Sequence, residues 1–338
     1  MGYITVSEAA KKWGISDRRV RLLCSQDRIE GVIHKGRKYL IPIDAKKPVD
    51  ERTRKSKSIP SRNVNVFDEA DALKLKLGKK KALPQSTTRR LKNEFLQEFV
   101  YNSCAIDGNS LSRREIIQVL DGNVIPNRPL KDHLDAAGAR DALEYVFEAV
   151  NEKAPLSENT IKQIHSLALI ASAREKGHYR TRGLRVRDAY VEPVQPYMLK
   201  SRMNDLIFEN NRRKKKMHPL ERIARFHLEF KGLHPFADAN GMTNRLILNF
   251  ELLQEGYPPA DIPCSKRKEY FEAFDAYYRD GDAAPMIDLI TAATEEAMRE
   301  RLKVYEMKQN SKTSLRQSAA VDPVVARAAI YYTDSVLK

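Results

Sequence analysis

Apolar positions recur at helical spacing over most of this chain. Between Pro219 and Lys231, and again between Thr243 and Gln254, they fall three and four residues apart. The second segment is ended by Gly256 and the Pro258-Pro259 pair. Val66 to Lys81 has helical composition and stops before Pro84, and Ser86 or Thr87 can cap the next helix, which turns Leu91, Phe95, Phe99 and Val100 inward. Ser112 and Glu115 stand at capping-box spacing. Pro129 to Val150 and Asn159 to Ser172 read as further helices. Leu184 to Val191 alternates instead, as a short strand or hairpin does. The pattern predicts a mainly α fold.

The first sixty residues follow a different plan. Ser7 can cap a short helix through about Trp13, and Gly14 breaks it. Ser16 can cap a second helix, Asp17 to Cys24, with Val20 and Leu23 inward and Arg18, Arg19 and Arg21 outward. Val32 to His34 and Lys38 to Ile41 then read as a hairpin around Lys35-Gly36-Arg37. Residues 44–62 lack an apolar period and are rich in charge, Ser and Pro, as linkers are. Residues 301–338 read as a C-terminal tail that is polar from Lys308 to about Ser318, and 322–338 could form one more helix.

Charge sharpens this division. The chain carries a net charge of +15 over 338 residues. Residues 1–62 hold 16 Lys and Arg against 7 Asp and Glu, an excess of +9. That asymmetry points to an acidic polymer as partner for the N-terminal end. Cysteines 24, 104 and 264 are scattered and odd in number, which fits a reducing compartment and no disulfide framework. No apolar run is long enough to span a membrane and no signal peptide stands out, so a cytoplasmic protein without a membrane partner is expected. His218, His227 and His234 are not at ligand spacing for one helical face, so no zinc site is expected.

Candidate chemistry concentrates in 234–245, His-Pro-Phe-Ala-Asp-Ala-Asn-Gly-Met-Thr-Asn-Arg, a loop between two helices. Asn240 and Gly241 sit where a helix should begin. A helix N-terminus offers free N–H groups and a partial positive charge to an anion such as phosphate. Gly241 permits close approach. Arg245 can add a charged hydrogen bond. Asp238 is a hard oxygen ligand suited to Mg²⁺ on a phosphate, and His234 can accept a proton near neutral pH. Singly, each of these residues reads as a cap or turn. Together they are parts for nucleotidyl or phosphoryl transfer.

This stretch resembles the signature of the Fic family, H-P-F-x-[D/E]-G-N-G-R-x-x-R. The resemblance extends to Gly177-His-Tyr-Arg180, to the run from His218 to Phe236, and to Tyr257-Pro-Pro and Lys268-Glu-Tyr270, so that it covers residues 63–300. It implies an all-helical core with a short β-hairpin flap. It also implies transfer of AMP from ATP and Mg²⁺ to a Ser, Thr or Tyr hydroxyl of a target protein. On that resemblance His234 is the base and Asp238 the Mg²⁺ ligand. Asn240 and Gly241 cradle phosphate, Arg245 holds the terminal phosphate, and Tyr270 lines the adenine pocket.

Two positions depart from the signature. Ala239 replaces a glycine, a change of one methyl. Met242 replaces an arginine that would contact phosphate, and a lost charged hydrogen bond costs about 1.5–3 kcal/mol, so ATP handling should be weakened. Restoring that arginine should separate a tuned-down enzyme from a decayed core. Kinases of the related Doc type carry Lys at the place of Gly241, which argues against their chemistry here.

Many Fic proteins also carry S-x-x-x-E-[G/N] on an inhibitory helix whose carboxylate pairs with the second arginine of the signature. Ser103 to Gly108 fits this with Asp107 in place of Glu. Asp is one methylene shorter, so either the contact is loose or the helix sits closer. Without the resemblance, Asp107-Gly-Asn reads as a plain turn.

Residues 1–43 resemble the small winged helix-turn-helix of MerR and excisionase proteins. The likeness implies DNA contacts through Arg18, Arg19 and Arg21 and, on the wing, Lys35, Arg37 and Lys38. The leading reading is a restrained protein adenylyltransferase. Its alternatives are a DNA-binding regulator with a degenerate Fic core, or AMP removal by the same site. The sequence leaves assembly open, a homodimer included.

Overall fold

The computed structural model describes residues 2–14, 17–25, 29, 31–35, 38–47, 66–183 and 194–321. Most of the linker expected over 44–62, Arg37 at the wing tip, the flap at Leu184–Val191 and the helix expected over 322–338 lie outside the described residues. The chain divides into two compact units, Met1–Arg62 and Asn63–Lys338.

In the first unit a strand, β1 (Tyr3–Thr5), leads into α1 (Val6–Trp13) and α2 (Asp17–Ser25), followed by β2 (Ile33–Lys35) and β3 (Lys38–Pro42). The strands form an antiparallel sheet in the order β1-β3-β2. Lys35 pairs with Lys38 across the hairpin, and Thr5 pairs with Leu40. The β1 strand has no signal in the sequence pattern, because its ladder is made with residues far along the chain. That ladder also moves the helix start. Thr5, extended and in β1, caps α1 and forms a capping box with Glu8. Ser7, the expected cap, instead donates its hydroxyl to Asp17. Gly14 closes α1 in the left-handed region. Val6, Ala9, Ala10, Trp13, Val20, Leu23 and Ile41 make a small core of their own.

The second unit is helical. It comprises α3 (Asp68–Gly78), α4 (Gln85–Ile106), α5 (Arg113–Leu120), α6 (Leu130–Asn151), α7 (Glu158–Ala168), α8 (Leu199–Arg213), α9 (Pro219–Leu233), α10 (Asn240–Gln254), α11 (Arg267–Asp280) and α12 (Ala284–Val321). The Ser112–Glu115 capping box at the start of α5 forms as expected. Helix α4 has no side-chain cap. It starts at Gln85 behind Pro84, and Thr87 is buried inside its first turn. A bare Pro entry serves because its fixed φ presets the turn.

Two apolar clusters organise this unit. One joins Phe99 and Val100 of α4, Ala139 and Leu143 of α6 and Ile164 of α7 to Phe226 and Phe230 of α9 and Leu246 and Phe250 of α10. The other joins Leu220 and Ile223 of α9 and Leu248 and Leu252 of α10 to Phe274 of α11 and Ile287 and Ile290 of α12. Helices α9 and α10 contribute to both and are buried nearly all round. Most of their buried polar side chains find partners inside the fold, although His227 Nδ1, Asn244 Oδ1 and Glu251 Oε2 have none among the described residues. Arg222 bonds Glu251, Asn210 and Glu255, and Asn244 donates to the His227 carbonyl. Gly138 lets α6 approach α7, since a Cβ there would lie 2.5 Å from the Ala168 carbonyl oxygen. The loop between α9 and α10 thus hangs from the two most deeply buried helices of the unit.

Candidate active site

That loop is His234 to Ala239. His234 ends α9 in the left-handed region at φ 44°, and Ala239 enters α10 in the same region at φ 53°. Two non-glycine residues in this region need support from their surroundings. Asn240 supplies part of it. Its side chain accepts from Phe236 N–H and donates to the Phe236 carbonyl, both at 2.9 Å. Phe236 is fully buried and stacks on His165 at 3.7 Å between ring centroids. His165 Nδ1 accepts from Gly177 N–H, which leaves Nε2–H to donate to the Asp238 carbonyl at 3.2 Å. Burial holds His165 neutral, its pKa pushed down to about 4. Arg180 completes the frame, donating through Nε to the His234 carbonyl at 2.8 Å, while its own N–H bonds the Pro235 carbonyl.

A cavity of about 270 Å³ opens in front of the loop. His234, Asp238, Asn240 and Gly241 line it, with Asp107, Lys131, Asp135 and Lys231. The His234 imidazole has no hydrogen bond among the described residues. Burial, then the charges of Lys231 and Arg180, lower its pKa to about 4, against a smaller opposing pull from Asp238. It is therefore neutral near pH 7 and able to accept a proton. Asp238 is exposed, and one of its oxygens takes the Ala239 N–H at 2.7 Å. Its other oxygen has no hydrogen-bond partner among the described residues, so the carboxylate has a free lone pair for a cation. Among the described residues no group of three or more His, Cys, Asp or Glu is arranged to hold a metal. A single carboxylate suits Mg²⁺, which keeps water and phosphate oxygens as its other ligands.

The α10 N-terminus forms one end of the cavity, and a helix N-terminus favours an anion. The Asn240 side chain is committed to Phe236, so its contribution to a phosphate cradle is its backbone N–H. Arg245 is 2 % exposed. It donates through Nε to Ser103 Oγ at 3.0 Å, and through Nη2 to the Ser103 carbonyl at 2.9 Å and to Asp107 Oδ2 at 2.6 Å. Burial opposes its charge, but Asp107 and Tyr270 outweigh that, and its pKa is raised. Asp107 caps the C-terminus of α4, and Ser103 lies one turn before it. A Cβ on Gly241 would lie 2.7 Å from Asp107 Oδ1. The carboxylate therefore rests directly on the helix N-terminus, where an anion is favoured. The shorter side chain does reach, because α4 sits close.

Two expected roles meet a different geometry. Tyr270 is buried behind Arg245 and shares a 2.8 Å hydrogen bond with His227 Nε2, so it is not among the residues that line the cavity. Met242 is 6 % exposed and packs in the first apolar cluster. It also borders the cavity, so a longer charged side chain at that position would trade apolar packing for a place in the cavity wall. Sequence reasoning assigned no role to Arg180, His165 or Lys231. The Gly177-to-Arg180 segment was the one signal for the first of these. In the N-terminal unit Arg21 is exposed on α2. The side chains of Arg18, Arg19, Lys35 and Lys38, and Arg37 entirely, lie outside the described residues.

A helix-loop-helix with a cradle, a neutral histidine and a carboxylate at one cavity defines the class. Residues 155–252 match the Fic/DOC family, and the chain is similar to protein adenylyltransferases. It is 30% identical over 215 residues to the protein adenylyltransferase fic-1 of Caenorhabditis briggsae, covering 62% of this chain and 42% of that protein. It is 28% identical over 263 residues to the protein adenylyltransferase Fic of Nematostella vectensis, covering 76% of this chain and 60% of that one. The chain thus spans about half the length of these relatives. Among solved structures, residues 134–508 of Fic-1 from C. elegans superpose with a TM-score of 0.63 at 26% identity, covering 72% of each chain. No helix among the described residues is long and apolar enough to cross a membrane.

Proposed function

We propose that this protein transfers AMP from ATP to a Ser, Thr or Tyr hydroxyl of a target protein, and that Asp107 restrains it. The observation that carries the reading is the convergence of His234, Asp238 and the α10 N-terminus on one cavity, with Arg245 buried behind Gly241. In this reaction the target hydroxyl oxygen bonds to the α-phosphorus, and the bond from that phosphorus to the β-bridging oxygen breaks. Pyrophosphate leaves, and the hydroxyl proton passes to the His234 imidazole. The triphosphate's own negative charge offsets Lys231 and Arg180, so it raises the basicity of His234 when it is needed. The N–H groups of α10 and Arg245 hold phosphate oxygens as charge moves onto the leaving group. Mg²⁺, held through Asp238, would neutralise phosphate charge.

Asp107 competes with that arrangement. Its carboxylate engages Arg245 and covers Gly241, so a phosphate cannot reach either while α4 stays in place. The test is incubation with Mg²⁺ and ATP labelled at the α-phosphate, scoring label on protein in a lysate. Label should vanish in His234→Ala and rise in Asp107→Ala. Label that persists in His234→Ala overturns the base assignment, and label equal in wild type and Asp107→Ala overturns the restraint.

For residues 1–43 the reading is duplex DNA binding, supported by the +9 excess over residues 1–62 and by exposed Arg21. Arg21→Ala should weaken DNA retention in a gel shift and reduce its salt dependence by about one phosphate contact. Unchanged retention would remove Arg21 from the interface.

A further inference from the structure

Lys231 stands in the last turn of α9, three residues before His234. It lines the cavity together with Asp107, Gly241, His234 and Asp238. Its aliphatic stem is half-buried, and its ammonium lies 5.8 Å from the ring centres of Phe271 and Phe274. Among the described residues it makes no hydrogen bond and no ion pair. Among the described residues, the other cations that frame the loop or line the cavity are engaged. Arg180 is spent on backbone carbonyls, Arg245 on Ser103 and Asp107, and Lys131 on Asp135 at 2.7 Å. An ammonium set in a cavity wall with three donors and no acceptor is costly unless an anion arrives.

We propose that Lys231 is a phosphate-binding residue of this site, donating to the polyphosphate chain of the nucleotide from the α9 side of the cavity. The assignment rests on the nucleotide reading given above. It answers a specific gap. The arginine expected at position 242 is absent, and the Met242 that lines the cavity in its place is apolar, so the α10 first turn offers N–H groups but no cation of its own. Lys231 brings a positive charge to the same cavity from the opposite helix. A lysine suits this position because its compact charge on a flexible stem can follow a phosphate oxygen without the fixed geometry a guanidinium needs.

Two features agree with a ligand role over a structural one. Burial lowers the Lys231 pKa, Asp107 opposes that, and Arg245 adds to it, so the folded chain is working against this charge. The anion that offsets the burial of Lys231 is Asp107, the group that must leave before nucleotide enters. Once Asp107 withdraws, that offset is lost, and the demand of Lys231 for an anion rises.

The experiment measures ATP affinity calorimetrically in the full chain, using Asp107→Ala as the parent so that the cradle is open. Lys231→Met and Lys231→Arg are added to that parent, and thermal melts are recorded for each without ligand. Loss of one charged hydrogen bond corresponds to a roughly ten- to hundredfold weaker Kd for ATP in the Met variant. The Arg variant should recover most of it. The unliganded melting temperature of the Met variant should match or exceed that of the parent, since an uncompensated buried charge has been removed. An unchanged ATP Kd in the Met variant overturns the assignment alone. So does a weakened Kd accompanied by a lower melting temperature and no recovery in the Arg variant, because that is a packing defect. Absence of ATP binding in the Asp107→Ala parent itself overturns the nucleotide reading, and the assignment with it.

Discussion

Asp107 and Arg245 lie 138 residues apart in the chain and meet at 2.6 Å. The carboxylate is partly open to solvent, with 40% of its side chain accessible, whereas the guanidinium is buried. The contact is therefore lopsided. Asp107 can leave into water at small cost, but Arg245 cannot, and it keeps Ser103 as a partner when Asp107 goes. Asp107→Ala should accordingly lower stability by only about 1 kcal/mol while raising AMP incorporation at least several-fold. Chemical denaturation and label incorporation on the same preparation check both halves.

Gly241→Ala makes a contrasting variant. Its Cβ would lie 2.7 Å from Asp107 Oδ1 and 3.3 Å from Arg245 Nη1. It should expel Asp107 as effectively as the alanine at 107 does, yet yield no gain in label, because the same methyl fills the phosphate cradle. A rise in label equal to that of Asp107→Ala would mean that phosphate does not approach position 241.

Ala239 holds φ at 53° with a side chain that disfavours it. A glycine there relieves about 1 kcal/mol of backbone strain. Ala239→Gly should raise the urea midpoint without altering the slope. A lower midpoint would show that the loss of the alanine methyl, or the added freedom of the unfolded chain, outweighs the strain.

Met242→Arg is expected to destabilise. The methionine is buried, belongs to the first apolar cluster and borders the cavity, so a guanidinium there gives up apolar packing. The loss should be about 2 kcal/mol or more, with no recovery of ATP affinity. A stable protein with tighter ATP binding would show that the side chain can turn out to the cavity.

Acid should weaken the fold through three histidines. Burial depresses the pKa of His165 and His234 to about 4 and of His227 to about 3. Unfolded histidines titrate near 6.5, so between about pH 6.5 and 4 the unfolded chain binds the extra protons, and stability falls as pH falls. Asp261 works in the opposite direction. Burial raises its carboxyl to about 7, so its contribution is lost as pH rises from about 4 to 7. Melts from pH 7.5 to 5 should show the histidine slope reduced in His165→Gln, and the advantage of Asp261→Asn should grow with pH. A His165→Gln profile parallel to wild type would mean that His165 is protonated in the fold.

Local chemistry made part of this legible in the sequence. The Ser112–Glu115 box, Gly14 as a helix end and the 234–245 stretch depend on residues within one or two turns of each other, and a linear pattern can carry that. The helix start at Asn240 is legible too, although apolar periodicity sets in only at Thr243 and does not show the bond from Phe236 that fixes the entry. Thr5 displaced Ser7 as a cap because β1 pairs with β3 across some forty residues. The direction of the Met242 side chain and the isolation of Lys231 depend on which helices surround them. Neither is a property of spacing. Tyr270 was placed by likeness to an adenine pocket, and what fixes it here is a hydrogen bond to His227 on another helix.

Helices α9 and α10 lie between two apolar clusters and have almost no face on water. Substitution along them therefore reaches one core or the other, while the helices around them keep a side on which residues can change freely. Sequence drift in a chain of this shape is channelled to its rim. A substitution on the rim can change surface and charge while the pair of helices that carries the candidate site stays where it is.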